Sequence, residues 1–358
     1  MLKNILTLLL LGGLTAAAQT DTAVAPGSFS FSGYVEAYYA YDFNKPADNV
    51  RPYVYSHNRH NEITANLAFL KATYTTARAR ANVTLAAGTY MNANYAAEPG
   101  VLKNIYEANA GIRLSKKHEL WLDAGVLPSH IGFESAYSPA SFTLTRSMLV
   151  DNAPYYEGGA RLSYTTASSK WYLAVLALNG WQRIQRPPGN SSFCGGTQVT
   201  FTPSQRISLN YSTFYGNDKP DSLRRTRFFH NVYCTSNLSS RLSVILGWDQ
   251  GVEESGISSE LHFWQGAAAI LRYKASADLA IAARAEYFRD ENGVIVVTGS
   301  PNGFTTFGYS ANIDYTIKKD ILCRIEGKLL SSEDRVFQDR SGPTTTSPQL
   351  SAAICVGF

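Results

Sequence analysis

From residue 28 to the last residue, apolar and polar side chains alternate one by one in short runs. At the C-terminal end Leu350, Ala352, Ile354, Val356 and Phe358 are apolar, whereas Gln349, Ser351, Ala353, Cys355 and Gly357 are small or polar. A period of two belongs to a β-strand, whose successive side chains point to opposite faces. The pattern recurs at Phe307, Tyr309, Ala311, Ile313 and Tyr315, and at Leu279, Ile281, Ala283, Ala285 and Tyr287. It recurs again at Leu242 to Trp248, Ile207 to Tyr211, Tyr156 to Tyr164, Leu120 to Val126, Tyr106 to Leu114, Val83 to Ala87 and Phe31 to Tyr39. Three segments, near Ile63, Phe228 and Gly266, alternate less cleanly.

The connections alternate as well. Short ones fall near 75–77, 115–118, 165–170, 202–205, 236–240, 274–278 and 318–320. Long ones fall near 42–61, 91–104, 128–155, 179–192, 216–225, 249–262, 289–303 and 331–347. Seven turns and eight loops join sixteen strands, with fourteen or eighteen as the alternatives. The expected fold is all-β: one transmembrane antiparallel barrel over 28–358, with short periplasmic turns and long extracellular loops. A β-sandwich or propeller also alternates, but hides its apolar face and imposes no strict short-long rhythm.

Composition narrows the choice. Charged residues are 17% of the chain, below the roughly 25% of soluble domains, while Tyr (22) and Phe (17) are abundant. The mean hydropathy is negative, and the longest apolar run beyond the leader, 171–178, is far short of a spanning helix. At the start, Lys3, the apolar stretch 5–14 and Ala16-Ala17-Ala18 predict a signal peptide over 1–18 and a periplasmic lead-in over 19–27. The net charge of +4 includes Lys3 and is spread evenly, so nucleic acid is not an expected partner. Cys194, Cys234, Cys323 and Cys355 show no paired spacing, and the six His show none suited to a metal. No metal, cofactor or catalytic site is expected.

Several segments carry a family resemblance: GYVEAYY (33–39), HNE (60–62), AGVLPSHIGFES (124–135), LTRS (144–147), DNAPYYEGGA (151–160) and LNGW (178–181). Through them the chain resembles bacterial outer-membrane porins, in particular the OmpL-like β-barrel porin family of Bacteroidota. The resemblance implies an outer-membrane lipid surround and passive diffusion of small hydrophilic solutes. It also implies recognition of the terminal Phe358 by barrel-assembly machinery. A homo-oligomer fits the resemblance, although no patch in the sequence specifies one.

A barrel of this size is too wide for side chains to fill, so its polar phase should line water. That phase contains Glu36, Arg80, Glu107, Arg113, Asp123, Glu157, Arg161, Arg241, Arg284, Glu286, Asp314, Arg324, Glu326 and Lys328. Both signs are present, which argues against strong ion selectivity. The long connection 128–155 carries Glu134, Arg146 and Asp151; by analogy with general porins it is expected to fold inward as a constriction. The alternative is a loop packed on the rim. A second functional class is a barrel-borne hydrolase of phospholipase or protease type, for which Ser129, His130 and Asp151 are the nearest candidates. A third is a non-conducting scaffold or adhesin. Tyr41, Trp248, Tyr287 and Phe307 are candidates for an outer aromatic girdle, and Tyr164, Tyr211, Tyr315 and Phe358 for a periplasmic one.

Overall fold

A computed structural model describes residues 27–256 and 260–358, so the expected signal peptide and nearly all of the lead-in lie outside the described residues. The strands are β1 (Ser28–Asp42), β2 (Ile63–Thr75), β3 (Ala79–Ala87), β4 (Ile105–Arg113), β5 (Glu119–Pro128) and β6 (Tyr156–Thr165). They continue with β7 (Trp171–Leu178), β8 (Cys194–Ser204), β9 (Ile207–Gly216), β10 (Arg227–Asn237), β11 (Leu242–Glu254) and β12 (Leu261–Lys274). The last are β13 (Leu279–Asp290), β14 (Phe304–Lys318), β15 (Ile321–Ser332), β16 (Phe337–Asp339), β17 (Gly342–Thr344) and β18 (Thr346–Gly357). Two short helices, α1 (Thr89–Asn94) and α2 (Met148–Asp151), lie in long connections.

Sixteen strands close into one antiparallel barrel, each paired with its sequence neighbours; β16 and β17 form a separate hairpin within the last long connection. The seam joins β1 to β18 from Tyr34↔Gly357 to Asp42↔Gln349. Main-chain bonds between Gly33 and Phe358, 2.7 and 3.0 Å, extend that seam to the last residue. Closure matters because an open sheet edge in hydrocarbon leaves N–H and C=O groups without partners. The outward phase is apolar and exposed along the wall, with Ile313, Ile325, Leu329, Ile354 and Tyr315 among its members. Phe307, Trp248 and Tyr315 stand on that outward face, with Tyr287 packed beside Phe307.

The irregular segments have physical causes. In β2 the register shifts opposite Glu36 and Ala37, so Asn66 and Leu67 are both buried while Ile63 and Leu70 remain outside. Such a bulge adds one residue to the strand and breaks a strict two-residue pattern. In β10 and β12 buried apolar residues stand on the inward face: Phe229, beside the buried polar Arg227 and Asn231, and Trp264, Ala268 and Ile270. Their inward and outward residues therefore look alike in sequence. This also explains why the connection expected at 249–262 shrinks to 255–260, since β11 runs on to Glu254 and β12 begins at Leu261. Pro203, which has no N–H to donate, falls where the β8–β9 register shifts between Phe201 and Ser204.

One substitution pair tests the outward assignment. Ile313→Arg, on the lipid face, should destabilise the barrel by about 2–4 kcal/mol if it sits near the bilayer midplane. Thr200→Arg, on the inward face, should cost clearly less. Urea unfolding in lipid vesicles reads both, and equal losses would contradict the facing.

Candidate functional site

The interior is filled from the end that carries the long connections. Residues 129–155 leave β5, cross the lumen and return to β6, with Ser129 N–H donating to the Tyr155 carbonyl (3.1 Å) at the base. The segment first leans on β8–β12. Three inward glycines clear its path: a Cβ at Gly196 would lie 2.7 Å from His130 Nε2, at Gly247 2.3 Å from Phe133, and at Gly266 2.9 Å from Leu149. Ile131, Met148, Leu149 and Ala153 join Trp264, Ala268 and Phe288 in one buried apolar cluster. Burial of this kind contributes about 25 cal/mol per Å² of apolar surface. Phe229 of β10 and the apolar inner residues of β12 thus have a partner.

Charged wall residues hold the middle of the segment. Inserted chain that is neither helix nor sheet must find partners for its own N–H and C=O groups. The Glu326 carboxylate accepts from Thr145 N–H (2.5 Å) and Thr145 Oγ1 (2.9 Å), and Glu286 accepts from Met148 N–H (2.5 Å). Asn312 accepts from Leu144 N–H (3.0 Å). Arg284 donates to Thr143 Oγ1 (2.7 Å) and the Thr145 carbonyl (2.8 Å). Arg324 donates to the Ser138 (2.6 Å) and Ser141 (3.1 Å) carbonyls, and Lys328 to that of Arg146 (3.2 Å). The wall charges also pair with one another: Arg284 with Glu286 and Glu326, Lys328 with Glu286, and Arg324 with Asp314.

Of the three loop residues singled out in the sequence, Glu134 accepts from Ser147 N–H (2.8 Å) and Ser147 Oγ (2.5 Å). Arg146 is buried and donates to the Ser135 (2.5 Å) and Ala136 (3.3 Å) carbonyls, stapling the segment to itself. Asp151, in α2, accepts from Tyr155 OH (2.9 Å); burial raises its carboxyl to about 6, with Lys328 opposing.

The first long connection also turns inward. Arg51 donates to the His57 carbonyl (2.7 Å), to Ser351 Oγ (3.0 Å) and to Gln349. His57 Nε2 lies 3.0 Å from Glu36, whose other oxygen accepts from Asn66 (2.8 Å). Burial holds the His57 imidazole pKa down, against the pull of Glu36. Near α1, Tyr95 stacks on Tyr156 with ring centroids 3.9 Å apart.

These contacts correct the expectation that the whole polar phase lines water. Glu36, Glu157, Arg284, Glu286, Asp314, Arg324, Glu326 and Lys328 lie on inward strand positions but are buried beneath inserted chain. Arg241 is not on the wall at all: it precedes β11, exposed, in a short turn. Water reaches the inward side chains of Arg80, Arg113 and Arg161, with Asp123 and Glu107 behind them. The sequence reading missed Arg51, His57, Asn312, Lys71 and Arg272. The one signal for the docking trough was glycine at inward positions of otherwise regular strands.

The hydrolase candidates do not assemble. His130 Nδ1 lies 2.8 and 2.9 Å from the two oxygens of Glu157, and Nε2 lies 2.8 Å from the Thr213 carbonyl. Both partners can accept from a protonated ring. Burial opposes that cation, but Glu157 and the carbonyl outweigh it and the pKa is raised. Neither ring nitrogen bonds Ser129 Oγ, which donates to Glu157 (3.4 Å), and Asp151 bonds Tyr155 instead.

Comparison with known proteins agrees with this architecture. A family model described as "Putative beta-barrel porin-2, OmpL-like" matches residues 28–358. Similar solved structures include an anion-selective porin from Comamonas acidovorans, with TM-score 0.62 and 9% identity over 93% of this chain and 100% of that one. The outer-membrane channel DcaP of Acinetobacter baumannii gives TM-score 0.61 and 13% identity over 94% and 99%. Salmonella typhi OmpF, in complex with daunomycin, gives 0.60 and 10% over 92% and 97%. No curated protein sequence matches.

Two outcomes are expected. Arg284→Met leaves Glu286 and Glu326 short of their main cation and should cost about 3–5 kcal/mol, read by urea unfolding, with protease cleavage inside 129–155. A raised carboxyl favours the protonated folded form, so the stability Asp151 contributes is present at low pH and lost as pH rises through about 6. Hydrogen exchange of α2 should therefore quicken, beyond its intrinsic pH dependence, from pH 5 to pH 7.5. Asp151→Asn should abolish that extra step; a step of unchanged size would refute the assignment.

Proposed function

This chain belongs to the OmpL-like β-barrel porin family and is an outer-membrane channel protein, and from that premise we propose that residues 129–155 set its conducting cross-section. The observation that carries the reading is the set of bonds from Leu144, Thr145 and Met148 N–H to Asn312, Glu326 and Glu286. A loop resting on the rim would not reach inward positions on three wall strands. Held in this way, the segment narrows the lumen between its own surface and the inner face of β2–β6. Small hydrophilic solutes cross by passive diffusion through the remaining water.

The same proposal assigns no catalytic role to Ser129, His130 or Asp151. Export through a signal peptide over 1–18, and handling of Phe358 by barrel-assembly machinery, complete it. Residues 134–150 are removed in the test, and single-channel conductance is measured in planar bilayers. Conductance should rise severalfold. A deletion barrel that folds but conducts as before would refute the constriction.

A further inference from the structure

The inner face of β2–β6, on the half nearer the short turns, is a row of ion pairs seen edge-on from the water. Arg80, Gly111, Asp123 and Arg161 are direct cross-strand neighbours on β3, β4, β5 and β6. Arg80 reaches across β4 to grip Asp123 with Nε (2.6 Å) and Nη2 (2.5 Å), and Arg161 approaches the same carboxylate at 3.4 Å. Gly111 makes the crossing feasible: a Cβ there would lie 2.1 Å from Asp123 Oδ1 and 3.2 Å from Arg80 Cγ. The Arg80 guanidinium also lies over the Trp121 ring, 4.3 Å from its centroid, which fixes its plane. Beside this row Lys71 pairs with Glu107 at 2.7 Å.

Each pair is layered in the same sense. The side chains of Lys71, Arg80 and Arg161 are 34, 32 and 20% exposed, while those of Glu107 and Asp123 are 8 and 1% exposed. On the facing wall Arg272, 24% exposed, covers Asp314 at 2%, and Asp314 also binds the buried Arg324. Four part-exposed cations thus stand on the wet side of three carboxylates, with the buried Arg324 behind Asp314. The Arg113–Glu119 pair nearer the turn is 22 and 49% exposed and adds no net charge. Arg161 Nε and Arg272 Nε are buried without a hydrogen-bond partner among the described residues.

We propose that Lys71, Arg80 and Arg161, faced by Arg272, form an anion-selective subsite that makes this channel favour small inorganic and carboxylate anions over cations. The proposal deepens the channel reading and rests on it. A carboxylate with both oxygens engaged by guanidinium groups repels a passing anion little, whereas a half-exposed guanidinium attracts it through high-dielectric water. The three carboxylates therefore orient the cations, and the cations meet the solute. The sign of the selectivity comes from the layering, which a count of charges along the polar phase conceals.

The test uses the full-length protein in planar bilayers under a potassium chloride gradient. Reversal potentials should show chloride favoured over potassium by about threefold, falling toward unity as salt rises from 0.1 to 1 M and screening shortens. Lys71→Gln with Arg80→Gln and Arg161→Gln should remove the preference. Arg80→Lys with Arg161→Lys, which keeps the charge, should retain it, as should Arg289→Gln on the exposed rim. Replacing chloride by acetate or phosphate should leave an anion preference of the same sign. A channel that conducts without preferring anions overturns this inference and leaves the channel reading standing. A preference unchanged in the triple glutamine variant also overturns it. A folded wild-type barrel that passes no current overturns the channel reading, and the subsite with it.

Discussion

A polypeptide in hydrocarbon has no water to satisfy its backbone, and the closed seam between β1 and β18 is how this chain meets that condition. Each of the sixteen barrel strands pairs with two neighbours, so the wall has no open edge strand. Closure at sixteen strands fixes a bore that side chains alone do not span. The molecule must therefore either hold water along its axis or bring chain in from the connections. It does both, at different depths.

Bringing chain inward recreates inside the barrel the problem that closure solved outside it. Residues 138–148 follow no regular ladder, apart from one 3-10 turn and the start of α2, and most of them are buried. The wall supplies the missing partners. Carboxylates on β13 and β15 and the amide of Asn312 on β14 accept from N–H groups, while arginines and Lys328 donate to carbonyls. A buried charge without a partner costs several kcal/mol, whereas these charges pair with one another and also bind the inserted backbone. The ionic cluster is thus a template for one loop conformation. The same logic accounts for the buried ring of His130, bonded to a carboxylate on β6 and a carbonyl on β9.

The loop sits asymmetrically, and this asymmetry divides the lumen. Around β8–β12 inward glycines and buried apolar residues, interspersed with Asn210, Ser212, Asn231 and Asp249, receive Phe133 and Leu149. Around β2–β6, on the half nearer the short turns, none of the described residues covers the wall as closely, and Lys71, Arg80 and Arg161 are part-exposed there. One face of a single barrel behaves like a protein core and the other like a solvated surface. Strand pairing makes no distinction between them.

The sequence by itself determined the strands, the count, the short-long rhythm of connections and which residues turn outward. All of these follow from a local period of two set by the pleat, and the outward phase has one uniform solvent, lipid. It determined the inward phase only where that phase is polar. At β10 and β12 several inner residues are apolar because a segment distant in sequence covers them, and at β2 a bulge doubles one position. Facing was therefore readable for Glu326 and Lys328, but their burial was not, since burial depends on residues 138–148 lying above them. Tertiary structure alone decided which charges are wet, which staple the loop, and that Arg80 and Arg161 share Asp123. The physical reason is that a strand's alternation records what lies on either side of the sheet, whereas the path of a loop across the bore is set by contacts between strands far apart in the chain.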